Sequence, residues 1–532
     1  MSAAAPAPGL FELPGHGRPG IREAELPVDD LPPDIAAMNR REPRLATLER
    51  EMREARNYAT WRAAAMAWDR EAGREEWKLA DASALYDYPL VQRRLSQILA
   101  AREGGYLRRL MFHLQEGLHG NLGNLSNPLL YQCCRFGTKR LIERYLDEVC
   151  ESLRFLATTG ERHLPREELL EFFESTGQAF GQSCLMLSGG AALGVYHLGV
   201  VKSLWEHGLL PAVVSGSSAG SIVAAILGTH TDAELDALFE SNEPFVDMIR
   251  RNRPALPYLF DEAHFGRELR RRVPEMSFQE AFRHSGRSIN ITVSTEDRHS
   301  EGRLLNHRTS PTVLVCSAVR ASCAAPFLLP PSGLLARTLG GETVPWLRNL
   351  KFLDGSIGDD LPIRRLTRLY GVNHSIVSLV NPLVLPFVSR RAGHGDDLGS
   401  LARRYITRIA KESLNLSLEV LQRGLSSENA GLAIEKLQSV MMQDYRGDIT
   451  LVPPRRLGHL LNMLRNHSPE EERDFVSIGM RITWPHLEMI KNTTAISRTF
   501  RQCIADLRAA PPAGTARGTG GRGQRRHHGA RA

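Results

Sequence analysis

The chain has 532 residues and a mass of 59.2 kDa, which excludes a single small module because a domain takes about 150 residues. About 48% of the residues are apolar when glycine is counted and tyrosine is not, which argues against a wholly disordered or coiled-coil protein. The net charge is +7, but the residues after Ala509 contain five arginines and no Asp or Glu, so the rest of the chain has a net charge of about +2. The excess positive charge therefore lies mainly in the C-terminal tail and indicates no specific nucleic-acid partner.

Cysteine usage and the absence of targeting patterns favour an intracellular protein. Seven scattered cysteines are an odd number without zinc-ligand spacing, so we expect reduced thiols and no metal. The N-terminus lacks the basic and apolar regions of a secretory signal. Residues 208–231 carry no charge, but Pro211 and several glycines and serines favour a strand, a turn and a helix over a membrane span. We predict a cytoplasmic protein that is peripheral at a membrane or lipid surface.

Composition and periodicity divide the chain into five segments. The order is a Pro-rich disordered arm (1–40), a helical domain (41–165), an α/β core (180–385), a helical C-terminal region (386–508) and a disordered Arg/Gly-rich tail (509–532). Apolar residues at helical spacing in 139–155 are typical of the helical domain. The C-terminal region also contains a strand-like stretch at 448–452.

The α/β core is predicted from short apolar runs that alternate with helical stretches from residue 182 onward. One helix runs to His207 and stops at Gly208, and the next begins at Ala219. This alternation predicts an α/β fold: a three-layer hydrolase core with a mainly parallel sheet, flanked by N- and C-terminal helical regions. Candidate strands lie at 183–187, 210–214, 288–294, 312–318, 349–353 and 374–380.

A candidate nucleophile lies between a predicted strand and a predicted helix. The sequence Gly216-Ser217-Ser218-Ala219-Gly220 fits the pattern G-x-S-x-G. A sharp turn lifts the serine hydroxyl above the sheet, and Cβ atoms two residues away on either side would collide, which explains Gly216 and Gly220. The start of the following helix directs backbone N–H groups at developing negative charge. This placement makes Ser218 the candidate nucleophile.

A second glycine-rich segment, residues 188–194, ends the preceding strand. Glycines allow backbone amides to turn inward as an anion-binding nest, which suits an oxyanion. A dinucleotide fingerprint requires glycine where Ala191 stands, and a phosphate loop requires Lys followed by Ser or Thr after Gly194. The segment therefore indicates an oxyanion loop, and no organic cofactor is expected.

The candidate base is Asp354, which ends an apolar strand and precedes Gly355. Desolvation at a strand end would raise its affinity for protons and let it act on Ser218 directly. A purely structural turn aspartate is the alternative, and a Ser-His-Asp triad through His374 or His394 stays open. The dyad is favoured because His374 begins a candidate strand and no strand leads into His394.

Other polar and apolar features are assigned structural roles or a role at an interface. Asp359 and Asp360 are interpreted as caps of a turn or helix, and His197 as a core residue. The apolar segment 382–388, followed by Arg390-Arg391, suits either a lipid interface or a buried connection.

Together these residues resemble the patatin-like phospholipases. The loop Gly189-Gly190-x-x-x-Gly194, the elbow around Ser218 and the pair Asp354-Gly355 occur in that family's order and at compatible spacing. The likeness extends over about residues 55–507 to the eukaryotic triacylglycerol-lipase subgroup with a preceding helical domain. It rests there on Trp61, Trp77, Tyr86-Asp87-Tyr88, Gly123, Asn127, Leu130-Tyr131, Gly137-Thr138-Lys139, Leu153, Ser322-Cys323-Ala324-Ala325-Pro326, Asn381-Pro382, Gly447-Asp448-Ile449-Thr450 and Thr483-Trp484-Pro485.

The resemblance implies a lipase that cleaves acyl esters of glycerolipids, either triacylglycerol or phospholipid, through an acyl-enzyme at a membrane or lipid-droplet surface. Ser218 would be the nucleophile and Asp354 the base, with an oxyanion hole formed by the amides of Gly189, Gly190 and Ala191. No cofactor is implied, and the oligomeric state is not predicted. A catalytically silent lipid-binding or scaffold protein on the same fold is the alternative.

Three departures from the family pattern weaken a phospholipase assignment more than they weaken hydrolysis. Ala191 replaces the third loop glycine, Leu193 replaces a basic residue common in these loops, and Ser356 replaces the usual glycine or alanine.

Overall fold

The first helix begins earlier than the sequence analysis predicts. The computed structural model describes residues 33–241, 248–252, 258–296, 302–381, 384–385, 443, 445, 447–454 and 467–509. Its first helix begins at Pro33, ahead of the predicted boundary at residue 40. Residues 1–32, the segment 386–400 with His394, and the tail beyond Ala509 lie outside the described residues.

Helices alone precede the first strand in the described part of the chain. The predicted run 139–155 is confirmed as a helix, and its apolar face is buried from Leu141 to Ala157. The N-terminal helices are α1 (Pro33–Glu54), α2 (Tyr58–Glu71), α3 (Arg74–Leu79), α4 (Tyr88–Glu103), α5 (Leu107–Gly117), α6 (Pro128–Gln132), α7 (Arg140–Thr159) and α8 (Arg166–Phe180).

Buried charges organise this helical domain. Lys78 Nζ lies 2.9 Å from Asp69 Oδ2, and both side chains are almost fully buried. The Lys139 ammonium donates to the carbonyl oxygens of Trp77 at 2.6 Å and Ala80 at 2.7 Å. Because a buried charge is costly unless it is paired or hydrogen-bonded, the first contact fixes α3 against α2 and the Lys139 contacts fix α3 against the start of α7.

The central sheet carries the predicted parallel core. Its spatial order is β4-β3-β2-β1-β8-β9, with β7 also pairing with β3. Strands β2, β1, β8 and β9 run parallel to one another and to β3, whereas β4 and β7 are antiparallel to β3. The strands are β1 (Gln182–Leu187), β2 (Val213–Gly216), β3 (Ser288–Thr295), β4 (Arg303–Leu305), β5 (Leu334–Arg337), β6 (Thr343–Trp346), β7 (Phe352–Asp354), β8 (Val372–Ser378) and β9 (Ile449–Leu451).

Helices cover the sheet, and β5 pairs with β6 in a separate hairpin. The predicted stop after His207 is confirmed, because Gly208 adopts a positive φ of 63° and ends the helix. The core helices are α9 (Val195–Glu206), α10 (Ala219–Thr229), α11 (Asp232–Ser241), α12 (Glu262–Arg272), α13 (Phe278–Ser285), α14 (Val315–Ser322), α15 (Ser356–Asp359) and α16 (Ile363–Tyr370).

Three sequence-based assignments need correction. The strand predicted at 312–318 is wrong: Val313 and Leu314 form isolated bridges, and α14 begins at Val315, because short apolar runs do not separate strand from helix. Strand β2 begins at Val213 instead of 210, consistent with Pro211 having no N–H for a sheet. The stretch 448–452 does contain a strand, β9, which joins the core sheet although it lies in the region predicted as helical.

Two further helices close the structure, α17 (Pro469–Thr483) and α18 (Leu487–Ala509). Helix α17 packs along α9, and Gly199 and Gly479 allow the backbones to approach closely. Helix α18 packs on α7 and α8, where Ile496 and Phe500 enter the same apolar cluster as the N-terminal helices. No helix among the described residues has the length and apolar character needed to cross a membrane.

Candidate active site

Ser218 stands on a strained turn between β2 and α10. Its φ is 48° and its ψ is −122°, a conformation that L-residues rarely adopt. The Ser218 N–H donates to Ser322 Oγ at 2.9 Å, and its carbonyl accepts from the Ser221 hydroxyl at 2.6 Å and the Cys323 thiol at 3.3 Å. These partners on α10 and at the end of α14 hold the turn.

The elbow glycines are required by close backbone contacts. A Cβ on Gly216 would collide with the backbone of Gly220, and a Cβ on Gly220 would collide with the backbone of Leu187. The sequence argument for glycine at both positions is therefore supported by the packing of β1, β2 and α10.

Strand pairing brings Asp354 to the end of β2. On one side of β3, the partner is β2, and this pairing ends with Gly216 opposite Ile291. Further along the same side of β3, the partner is β7, and this pairing begins with Asp354 opposite Val293. Asp354 thus stands beyond the carboxyl end of β2, where the chain turns through Ser218. The structure brings together the two residues that the sequence predicts as a pair, and the Ser218 side chain lies near enough to the Asp354 carboxyl to lower its pKa.

Asp354 is fully buried, and burial raises the pKa of its carboxyl group. The nearby Ser218 hydroxyl and the hydrogen bonds from Ser356 oppose that rise. Ser356 donates to Asp354 Oδ1 twice, from its backbone N–H at 2.9 Å and from its hydroxyl at 2.7 Å. The carboxylate is therefore oriented toward Ser218 and has a higher proton affinity than an exposed aspartate.

The glycine loop lies beside the elbow. A Cβ on Gly189 would lie 2.9 Å from Ser356 Cβ and 3.3 Å from Ser218 Cβ, and one on Gly194 would lie 2.6 Å from Ala219 Cβ. In the described part of the chain, no protein acceptor is found for the backbone N–H groups of Gly190 and Ala191. These two amides are available for an anion next to Ser218.

Asp360 is the site residue that sequence reasoning missed. Instead of capping a turn, its buried Oδ1 accepts the Gly189 N–H at 2.8 Å, so this amide of the predicted oxyanion hole is already engaged. Burial raises the pKa of Asp360 to about 7, opposed by the Gly189 hydrogen bond and by the nearby Ser217 hydroxyl, and reinforced by the nearby Asp354 charge. Its only sequence signal was its position six residues after Asp354, next to Asp359.

His197 fixes the start of the loop. Burial lowers its pKa to about 4, so the ring is neutral, and Nε2 lies 3.0 Å from the Ser188 carbonyl. Since a carbonyl only accepts, Nε2 carries the proton and Nδ1 accepts from the Ser378 hydroxyl at 2.7 Å. The predicted core position is correct, and the residue also anchors the loop.

The alternative base His374 lies toward the opposite end of the sheet. Its Nδ1 is 3.0 Å from Ser183 Oγ, and Ser183 precedes the loop end of β1 at Leu187 by four residues, or about 13 Å of strand. The structure does not bring His374 to Ser218. His394 lies outside the described residues.

Comparisons with known proteins identify the family of the chain. Residues 185–367 match the family described as patatin-like phospholipase, and residues 37–178 match a domain of unknown function, DUF3336. The chain is 31% identical to triacylglycerol lipase ptl3 of Schizosaccharomyces pombe, over 84% of this chain and 94% of that protein. The chain belongs to the patatin-like phospholipase family.

Two longer relatives extend the comparison. Triacylglycerol lipase SDP1L of Arabidopsis thaliana is 34% identical over 86% of this chain and 58% of its own length. Triacylglycerol lipase 4 of Saccharomyces cerevisiae is 33% identical over 83% of this chain and 51% of its own length. The chain thus spans between half and three fifths of the length of these two patatin-like proteins.

The three departures from the patatin pattern have structural counterparts. Ala191 has a φ of 46°, the left-handed region that glycine occupies without strain. Leu193 is buried in the main apolar cluster, where a basic side chain would be desolvated. Ser356 supplies the extra hydroxyl that binds Asp354. In this chain an alanine thus adopts the left-handed conformation at position 191, and Asp354 accepts a side-chain hydrogen bond from Ser356.

Proposed function

We propose that the protein hydrolyses acyl esters of glycerolipids, with Ser218 as the nucleophile and Asp354 as the base. The observation that carries the proposal is the buried Asp354 carboxylate, which the pairing of β7 with β3 places next to Ser218 on its strained strand-to-helix turn. The names of the relatives as triacylglycerol lipases support triacylglycerol as the first substrate to test.

The chemistry proceeds through an acyl-enzyme. Ser218 Oγ attacks the ester carbonyl carbon while its proton moves to Asp354, and the amides of Gly190 and Ala191 stabilise the oxyanion. The intermediate then expels the alcohol, which takes the proton from Asp354. In the second half, Asp354 deprotonates a water that attacks the acyl-enzyme, and the fatty acid leaves as Ser218 is restored.

Burial suits Asp354 to this role. A carboxylate with an ordinary pKa is too weak a base for a serine hydroxyl, whereas desolvation raises its proton affinity toward the working pH. The Gly189 amide, which donates to Asp360, positions the loop in this proposal and does not bind the oxyanion.

The proposal is tested with purified Ser218→Ala and Asp354→Asn proteins on emulsified triacylglycerol and on phospholipid vesicles. Each substitution is expected to lower kcat by about 1,000-fold or more, because the nucleophile or its base is lost. Asp359→Asn is the matched control, since Asp359 is a neighbouring carboxylate that pairs with Arg365 at 3.5 Å. Wild-type turnover in either variant would refute the assignment.

Two other functions give different results in the same experiments. A silent scaffold would not react with a fluorophosphonate probe, whereas an activated Ser218 is labelled and Ser218→Ala is not. A triad enzyme would lose turnover in His374→Ala or His394→Ala, whereas the dyad survives both substitutions. The position of His374 beside Ser183 favours the dyad over a triad through that histidine.

A further inference from the structure

Exposed large apolar side chains are concentrated in one short stretch of the chain. Of the eight found in the described residues, four lie within 327–347 and the other four are spread over 66–112. Single exposed apolar residues scattered over a surface are ordinary, whereas four on one hairpin and the segments flanking it are a concentration that can mark an interaction surface. We call the group the hairpin surface; its apolar members are Phe327, Leu335, Leu339 and Leu347.

The β5–β6 hairpin presents this surface outward. Leu335 pairs with Pro345 across the two strands, and both side chains are exposed, so they share the outer face. Leu339 lies in the turn before Gly340-Gly341 and is completely exposed. A fully exposed leucine at a hairpin tip packs on none of the described residues, so an external apolar phase would stabilise its apolar surface.

Two of the apolar members are held in an unfavourable backbone conformation. Phe327 has a φ of 65° and Leu347 a φ of 56°, which bulky L-residues rarely adopt. The Phe327 turn is nevertheless fixed, because its carbonyl accepts the Leu259 N–H at 2.9 Å. Strain that the surrounding structure maintains is concentrated at functional sites.

Positive charge borders the hairpin surface. Arg348 and Lys351 are exposed, and no carboxylate of the described residues lies within 4 Å of either cation. Arg303 lies over the Trp346 ring at 5.8 Å. Apolar side chains flanked by unpaired cations match the acyl chains and phosphate headgroups of a lipid surface.

The hairpin surface is attached directly to the candidate active site. The Leu335 N–H donates to Ser317 Oγ at 3.1 Å on α14, the helix that ends at Ser322 beside Ser218. Ser332 bridges Phe352 on β7, two residues before Asp354. The base of the hairpin surface therefore adjoins the site, whereas its tip lies beyond Arg337, whose N–H donates to the Thr312 carbonyl at 2.9 Å before the start of α14.

We propose that the hairpin surface docks onto a lipid surface, with Leu339 and Phe327 inserted among the acyl chains and Arg348 and Lys351 against the headgroups. The inference rests on the proposed function, because a glycerolipid substrate resides in such a layer.

Vesicle flotation tests the proposal without catalysis. The full chain carrying Ser218→Ala is mixed with phosphatidylcholine vesicles, with and without phosphatidylserine. Adding Leu339→Asp and Phe327→Ser is expected to lower the partition coefficient by about 100-fold, since burial of each side chain contributes about tenfold or more. The matched control adds Leu79→Asp and Phe112→Ser, which replace exposed apolar side chains of the N-terminal domain, and is expected to bind like its parent.

A second pair of substitutions tests the cations. Phosphatidylserine is expected to strengthen binding of the parent, and Arg348→Gln with Lys351→Gln is expected to remove that gain. Equal binding of the hairpin variant and its parent, or an equal loss in the N-terminal control, would overturn the proposal. Thermal unfolding of each variant checks that the fold is retained.

Failure of the docking proposal and failure of the proposed function are separable. Ser218-dependent hydrolysis of a soluble short-chain ester by the wild-type protein tests the chemistry without a lipid surface, whereas flotation of the Ser218→Ala protein tests docking without chemistry. Ester turnover combined with unchanged flotation of the hairpin variant would reject docking and keep the hydrolase.

Discussion

The elbow around Ser218 and the loop of residues 188–194 meet at one site but are held in different ways. The elbow is strained at Ser218, and its shape follows from glycines two residues away on either side. The loop is strained at Ala191 and depends on distant partners, since Asp360 binds Gly189 from 171 residues further along the chain. Local sequence therefore determines the shape of the elbow, whereas tertiary contacts determine where the Gly190 and Ala191 amides lie.

This comparison predicts that losing the Asp360 acceptor misplaces the loop. In Asp360→Ala the buried Gly189 N–H loses its partner, and we expect kcat on a soluble ester to fall about 100-fold as the Gly190 and Ala191 amides shift. Asp360→Asn keeps an acceptor oxygen and should restore most of the activity.

The control for this test is Asp359→Ala, which removes a neighbouring carboxylate that does not bind the loop. A loss in Asp360→Ala that Asp360→Asn does not rescue would indicate that the charge of Asp360, and not its hydrogen bond to Gly189, supports catalysis.

Asp360 also predicts a pH dependence of stability. Burial raises the pKa of Asp360 in the folded state from 3.8 to about 7. As the pH rises, Asp360 therefore keeps its proton to a higher pH in the folded state than in the unfolded state. Between about pH 4 and 7 the free energy of unfolding of the wild type should fall relative to Asp360→Asn by up to about 1.4 kcal/mol per pH unit, then level off. Denaturant titrations across this range measure the difference; parallel curves would contradict the raised pKa.

On the elbow side, Ser356→Ala should change the pH profile of turnover. Removing the Ser356 hydroxyl withdraws a hydrogen bond that favours the charged form of Asp354, so the pKa of Asp354 rises. The acid limb of kcat/KM on a soluble ester is expected to move to higher pH by about one unit. An unchanged limb would show that this hydroxyl does not influence the base.

The smallest expected effect concerns the strain at Ala191. Ala191→Gly removes the penalty of a positive φ and should raise the free energy of unfolding by about 0.5–1 kcal/mol, after the extra unfolded-state entropy of glycine is counted. Ala192→Gly is the control, because Ala192 has no positive φ, and it should destabilise. Equal effects of the two substitutions would argue against strain at Ala191.

The sequence predicted most of the core because its signals are local. Apolar runs ending in glycine placed β1 and α10, and strand-end reasoning brought Asp354 to Ser218. Asp360 was not predicted as a site residue because an aspartate before Leu-Pro is typical of a cap. Its contact with Gly189 exists only in the folded chain. The segment 312–318 was misassigned because β-branched residues at the start of α14 read equally well as a strand.

Helix α18 has a consequence for dividing the chain into parts. It lies more than 300 residues after α7 and α8, yet Ile496 and Phe500 complete the apolar cluster of the N-terminal helices. Strand β9 likewise adds an edge to the sheet from beyond residue 385. A fragment cut at either predicted boundary would lose part of another unit's interior, so the two ends of the polypeptide must be synthesised before either half can reach its final packing.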